Sequence, residues 1–194
     1  MSIDAKFEKI SKYIDDSAIT VPFRKTTQSA GYDFYAAEDT VIPSYCGDDM
    51  WDNLAEVIGR ECKTMEEFQN SLPLTLDKVA DFIKKADAKV SLIPTGIKCK
   101  IPDGYYLQLS VRSSLPLKHW LIMANGVGII DADYYNNPDN EGHIYFQLIN
   151  LLPFPVIIKK GDCFGQGILL KYETTSDDEG TGATREGGFG STNA

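Results

Sequence analysis

The chain has 194 residues, 43% of them hydrophobic, and its 28 acidic side chains outnumber 19 basic ones to give a net charge of -9 at pH 7. One core can be filled from this composition, so a single domain over 1–194 with an inserted piece is expected. Acidity of this order argues against a general nucleic-acid binder, which needs a basic face, and no apolar run approaches the ~20 residues that span a bilayer.

MSIDAKFEKI lacks the apolar h-region of a signal peptide, so the expected location is the cytoplasm. The same segment continued to Ile14 places Ile3, Phe7, Ile10 and Ile14 at helical spacing with Ser2 as a cap, which predicts a short amphipathic helix. From Ala18 to Ser44 the texture turns to strands broken by turns: AITVPF, SAGYDFYAA and TVIPS. Residues 47–87 change again. WDNLAEVIGREC, TMEEFQNSL and TLDKVADFIKKADA are helical in period, Thr64 with Glu67 fits a capping box, and Val79, Phe82, Ile83 and Ala86 form an apolar stripe. Strand texture resumes after Lys89 and runs to Thr175 in short pieces separated by PTG, IPDG, NNPDNEG and KKGD. Many short strands at such intervals predict an antiparallel sandwich or barrel with the helical block inserted into it. The end, 176–194, is rich in glycine and polar residues and is expected to be a flexible arm. Cys46, Cys62, Cys99 and Cys163 are scattered and suggest neither a zinc site nor a disulfide framework; reduced, partly buried thiols are expected.

Three stretches carry chemistry. In NGVGIIDADYYNNPDNEGHIYFQL, residues 125–148, glycines, a buried strand and Asp131 precede a turn and a return strand, which predicts a hairpin presenting backbone groups, an acid and an aromatic on one edge. Asp131 there suits a general base acting on water, while Asp131 and Asp133 as turn acids capping backbone amides is the plainer alternative. SVRSSLPLK, residues 110–118, offers the arginine fork of Arg112 with the donors of Ser113 and Ser114. KKGDCFGQGILL turns at Gly161 and Asp162 into a strand that projects Gln166. His119 and His143 are expected at the surface or in turns.

In joint order these stretches resemble the trimeric dUTP diphosphatases. Five short motifs match in sequence: AGYDFYAA (30–37), VRSSLPLK (111–118), NGVGIIDADY (125–134), GDCFGQ (161–166) and GGFGST (187–192). The resemblance implies an antiparallel jelly-roll-like β-barrel of the β-clip kind, a homotrimer with sites drawn from all three chains, and hydrolysis of dUTP to dUMP and pyrophosphate. That activity keeps uracil out of DNA and supplies dUMP for dTTP synthesis. By the same resemblance Asp131 activates the water; Arg112, Ser113, Ser114, Gln166, Arg185, Gly188, Gly190, Ser191 and Thr192 hold the phosphates; and Asn125, Gly128, Ile129, Ile130, Tyr134, Tyr145 and Phe189 hold base and sugar. Asp33 positions Mg2+ through coordinated water.

These residue types suit the reaction. Cleaving a triphosphate needs in-line geometry and positive charge where negative charge develops, and no covalent nucleophile. Two departures stand out: a single residue, Glu186, separates Arg185 from GGFG, and the 47–87 insertion is absent from the common short members. The insertion is read as packed on its own barrel, as a docking surface for a protein partner, or as a cover near the site. The alternative functions are a dCTP deaminase of the same fold and a regulatory module that binds protein through the insertion.

Overall fold

The computed structural model describes residues 3–45, 90–152, 155–179, 185 and 187–188. The 47–87 insertion and the tail residues Phe189, Gly190, Ser191 and Thr192 lie outside the described residues, as do Cys46 and Cys62. Eleven strands are described: β1 Lys6–Lys9, β2 Tyr32–Tyr35, β3 Thr40–Ile42, β4 Ser91–Pro94, β5 Ile97–Lys100, β6 Tyr105–Val111, β7 Leu121–Met123, β8 Gly128–Ile130, β9 Tyr145–Asn150, β10 Val156–Ile158 and β11 Cys163–Lys171. A six-residue helix, α1 (Ser114–His119), follows β6.

All paired strands are antiparallel. They form a four-stranded sheet in the order β2-β11-β6-β8, a three-stranded sheet β4-β9-β7 and the pairs β1-β5 and β10-β3. The mainly β, antiparallel expectation holds, and among the described residues the four sheets do not close into one barrel. Inner faces of the two larger sheets meet in a core of fully buried side chains that includes Phe34, Phe146, Phe164, Leu107 and Leu148. Phe146 is its hub, with ring centroids 5.5 Å from Phe34 and 4.9 Å from Phe164. Strand alternation puts Gly165 of β11 against this hub and Gly167 against Phe34 and Leu107, and turns Gln166 the other way. A Cβ on Gly165 would lie 2.5 Å from Phe146 Cε1, so no side chain fits there. Gly165→Ala is expected to cost roughly 1 to 3 kcal/mol by overpacking, at roughly 2 to 4 °C of melting temperature per kcal/mol for a chain of this size. A thermal unfolding curve superimposed on that of the wild type would contradict the packing argument.

Two sequence expectations are corrected. The N-terminal helix is not formed: Lys6–Lys9 is a strand registered against Ile97–Lys100, and only Ser11–Tyr13 makes a turn of 3-10 helix. The pairing sets Phe7 against Tyr32 and Phe34 at 5.1 and 5.6 Å, a tertiary contact that outweighs the weak helical period of a short segment. Nor does the 125–148 stretch form a hairpin. β8 pairs with β6 and β9 pairs with β4 and β7, so the two strands flanking NNPDNEG belong to different sheets. Both described cysteines, Cys99 and Cys163, are free, and burial pushes the Cys99 thiol up to about 12. Among the described residues no helix is long and apolar enough to cross a membrane.

Candidate active site

Strand β8 is the last strand of the four-stranded sheet, so one edge of its main chain has no ladder partner among the described residues. Such an edge offers backbone N–H and C=O groups to a flat, polar ligand. Beside it lies a cavity of 170 Å³ walled by Gly128, Ile129 and Ile130, with Asn125, Tyr134 and Tyr145 closing the sides. All six were expected in the base and sugar set, and the fold brings them together. The edge strand, rather than a hairpin, is the device that exposes the backbone.

Asp131 stands where β8 ends, at the mouth of this cavity and of an adjoining 690 Å³ cleft shared with Asp133, Tyr106 and Tyr172. It caps the 3-10 turn Ala132–Tyr134 with its main chain only: Tyr134 N–H donates to its carbonyl at 3.2 Å, and its side chain makes no capping bond. The turn-acid alternative therefore fails for Asp131. Its carboxylate instead accepts a bond from Arg185 Nη2 at 2.6 Å, and Asp133 accepts from Arg185 Nε at 2.7 Å. One guanidinium thus spans both acids of the D-x-D pair, with Asp131 still about half exposed. Arg185 and Gly188 both line the cavity, so the described part of the tail reaches the base-sized space.

Tyr134 is 6% exposed and held at every polar atom. Its hydroxyl donates to the carbonyl of His143 at 2.9 Å and accepts from Asn140 Nδ2 at 2.9 Å, and its own carbonyl accepts from Asn137 Nδ2 at 2.8 Å. Burial pushes its phenol above the usual range. Of the two places expected for His143, surface or turn, the structure gives the turn: its main-chain N–H donates to the Asn140 carbonyl at 3.0 Å, the residue is 4% exposed, and its Nε2 accepts from Gly96 N–H at 2.8 Å. That bond fixes the imidazole as neutral, and burial lowers its pKa to about 4. NNPDNEG reads as a turn; a histidine just beyond it gives no sequence signal of burial, because the partner Gly96 is 47 residues away.

The remaining expected residues form a second cluster. Gln166 on β11 is registered between Ser110 of β6 and Asp33 of β2, and its Nε2 donates to Ser110 Oγ at 3.2 Å. Arg112 leaves the end of β6, its N–H held by the Phe164 carbonyl at 3.0 Å and its Nε 3.7 Å from Asp33 Oδ1. Ser114 opens α1 and Ser113 precedes it as the N-cap, with no side-chain capping bond. Asp33, 8% exposed, also lies 3.4 Å from Lys25 Nζ. No group of three metal-ligating side chains occurs among the described residues. The carboxylate of Asp33 is a hard donor of the kind Mg2+ takes, and it already faces the cations of Lys25 and Arg112.

The two clusters are far apart on one chain. Asp131 follows Ile130, which is registered against Leu107; Arg112 lies five residues beyond Leu107, or roughly 17 Å at strand rise.

The fold and its cavity define a class: a mainly β, antiparallel protein with a cavity walled by the edge strand of a sheet and Asp131 at its mouth. Comparisons narrow this. The dUTPase family model matches residues 73–193. A deoxyuridine 5'-triphosphate nucleotidohydrolase of Lactococcus lactis subsp. lactis (strain IL1403) is 34% identical over 189 residues, covering 97% of each chain. That of Rickettsia felis is 37% identical, covering 93% of its own length but 67% of this one. Among solved structures, the dUTPase from Streptococcus mutans superposes with a TM-score of 0.62 at 31% identity, covering 87% of this chain and 97% of that one. A mutant dUTPase from phage phi11 of S. aureus, described as coordinating a structural Mg(II) ion, shares the fold at 0.56 and 16% identity, covering 91% and 96%. The chain belongs to the dUTPase family.

Proposed function

We propose that the chain hydrolyses dUTP to dUMP and pyrophosphate at the cavity beside β8. The observation that carries this reading is the placement of Asp131, a carboxylate free of backbone duty at the mouth of a nucleobase-sized, main-chain-edged cavity. Uracil presents acceptor, donor and acceptor along one edge, a pattern that backbone N–H and C=O groups of an open strand complement and that cytosine does not offer. Tyr134 walls the sugar side and leaves no room for a ribose 2'-hydroxyl.

Asp131 takes a proton from the water that attacks the α-phosphorus, so the water's oxygen bonds to phosphorus as the pyrophosphate leaves. Arg112, Ser113, Ser114 and Gln166 hold the phosphate chain, and the separation from Asp131 within one chain supports their arrival from another copy, in a homotrimer with shared sites. Mg2+, when bound to the triphosphate beside Asp33, supplies positive charge to the phosphate oxygens. The triphosphate competes with Asp131 and Asp133 for the Arg185 guanidinium, and its capture frees the base. Gly188 lines the cavity, and the family resemblance assigns contacts with the base to Phe189 and with the phosphates to Gly190, Ser191 and Thr192. The 47–87 insertion remains a candidate surface for a protein partner.

Incubation with dUTP or dCTP and Mg2+, followed by chromatographic separation, tests the reading. Release of dUMP and pyrophosphate from dUTP supports it; dUTP appearing from dCTP would assign a deaminase instead.

A further inference from the structure

The NNPDNEG loop does more than reverse the chain. Asn140 sits at its centre with both ends of its amide engaged: Oδ1 accepts from Gly142 N–H at 3.0 Å and from Asn137 Nδ2 at 2.9 Å, while Nδ2 donates to the Tyr134 hydroxyl at 2.9 Å. Gly142 has φ +80, and a Cβ there would stand 2.6 Å from the Tyr134 carbonyl, so the loop closes directly on Tyr134 because this position is glycine. The arm meets the ring itself: a Cβ on Gly188 would lie 2.8 Å from Tyr134 Cε2. The ring is thus held at its hydroxyl by the loop and met along one edge by the tail.

A wall of this kind decides a specific problem. Ribose differs from deoxyribose by one oxygen, and a merely snug pocket rejects an added hydroxyl weakly. Strong rejection requires that the wall not yield by the few tenths of an ångström that would admit that oxygen. A tyrosine pivoting about its side-chain torsions yields easily; one tied at the far end of its ring does not.

We propose that Asn140 is a positioning residue for sugar specificity, fixing the Tyr134 ring through its hydroxyl so that deoxyribonucleotides are admitted and ribonucleotides refused. The inference rests on Tyr134 walling the sugar in the function proposed above. It predicts that the loop governs selectivity without touching the substrate.

The measurement is kcat/KM for dUTP and for UTP in the wild type, Asn140→Ala and Asn140→Asp. The aspartate variant keeps acceptor oxygens for Gly142 N–H and Asn137 and turns the donor facing Tyr134 into a second acceptor, which cannot bond the hydroxyl while that hydroxyl donates its one proton to the His143 carbonyl, so it weakens the grip on the ring and leaves the loop closed. Both variants are expected to lower the dUTP-to-UTP preference by roughly 5- to 20-fold, the scale set by one hydrogen bond and a loosened wall, mostly through faster use of UTP. kcat on dUTP is expected to stay within about threefold. If Asn140→Ala does not fold, Asn140→Asp decides alone. A preference unchanged within twofold in Asn140→Asp, or equal loss on both nucleotides, overturns the inference and leaves a structural loop. A wild-type chain that leaves dUTP intact overturns the underlying function as well.

Discussion

Asp131→Asn is expected to lower the turnover of dUTP by ~100-fold or more while nucleotide binding persists, on general-base magnitudes. Asparagine keeps the size of the side chain, and the 3-10 turn depends on the Asp131 carbonyl, which the substitution leaves in place. The β8 edge and the Tyr134 wall are likewise untouched. What is lost is the basic oxygen that accepts the water's proton, together with half of the charge that holds Arg185. Pyrophosphate release measures the first, and calorimetric titration with a non-hydrolysable dUTP analogue measures the second. Affinity is expected to hold or to rise, because the guanidinium, less firmly engaged by carboxylates, becomes easier for phosphate to capture. Turnover within a few-fold of the wild type would return Asp131 to a purely local role.

Acid is expected to destabilise the protein in a window that His143 sets. Its folded pKa, about 4, lies below the ordinary value of 6.5, first because burial penalises the cation and then because Lys12 repels it; Glu38 and Glu141 oppose the shift. The unfolded chain therefore binds a proton that the folded one refuses, and stability falls as pH drops from about 6.5 towards 4. Over the first two pH units the loss is about 2 kcal/mol, at about 1.4 kcal/mol per unit. Protonation also ends the acceptor role of Nε2 towards Gly96 N–H. The carboxylates of Glu38, Glu141 and Asp16 are all held below their ordinary values by hydrogen bonds to Lys12, Ser11 and Lys160. Their contributions are present above pH 4.5 and are lost only below it, so the upper window isolates the imidazole. Urea titrations at pH 6.5 and 4.5 are expected to differ by that amount in the wild type and by less than half of it in His143→Gln, whose amide can still accept from Gly96. Equal pH dependence in the two proteins would remove His143 as the cause.

The site was legible in the sequence to different depths. The family resemblance groups Asn125, Gly128, Ile129, Ile130, Asp131 and Tyr134, and these residues, close in the chain, line one cavity. Order of motifs added Asp33, Arg112 and Gln166, which strand register does bring together. The pairing of β8 was missed because turn residues between two apolar runs look the same whether the runs pair with each other or with distant strands. The N-terminal strand was missed for a related reason: four residues carry too little periodicity to resist a partner 90 residues away. Burial of His143 and the link between Asn140 and Tyr134 depend on side-chain contacts that no spacing encodes. Gly165 was read as part of a motif, but its reason is Phe146 on the facing sheet.

The span between Asp131 and Arg112 has a consequence for how damage propagates. With shared sites, a chain faulty at one cluster still lends its sound cluster to a neighbour, and a faulty cluster spoils a site whose acid came from an intact copy. Two alleles broken at opposite ends of β6 would then rescue each other in a mixed assembly, whereas two broken at the same end could not.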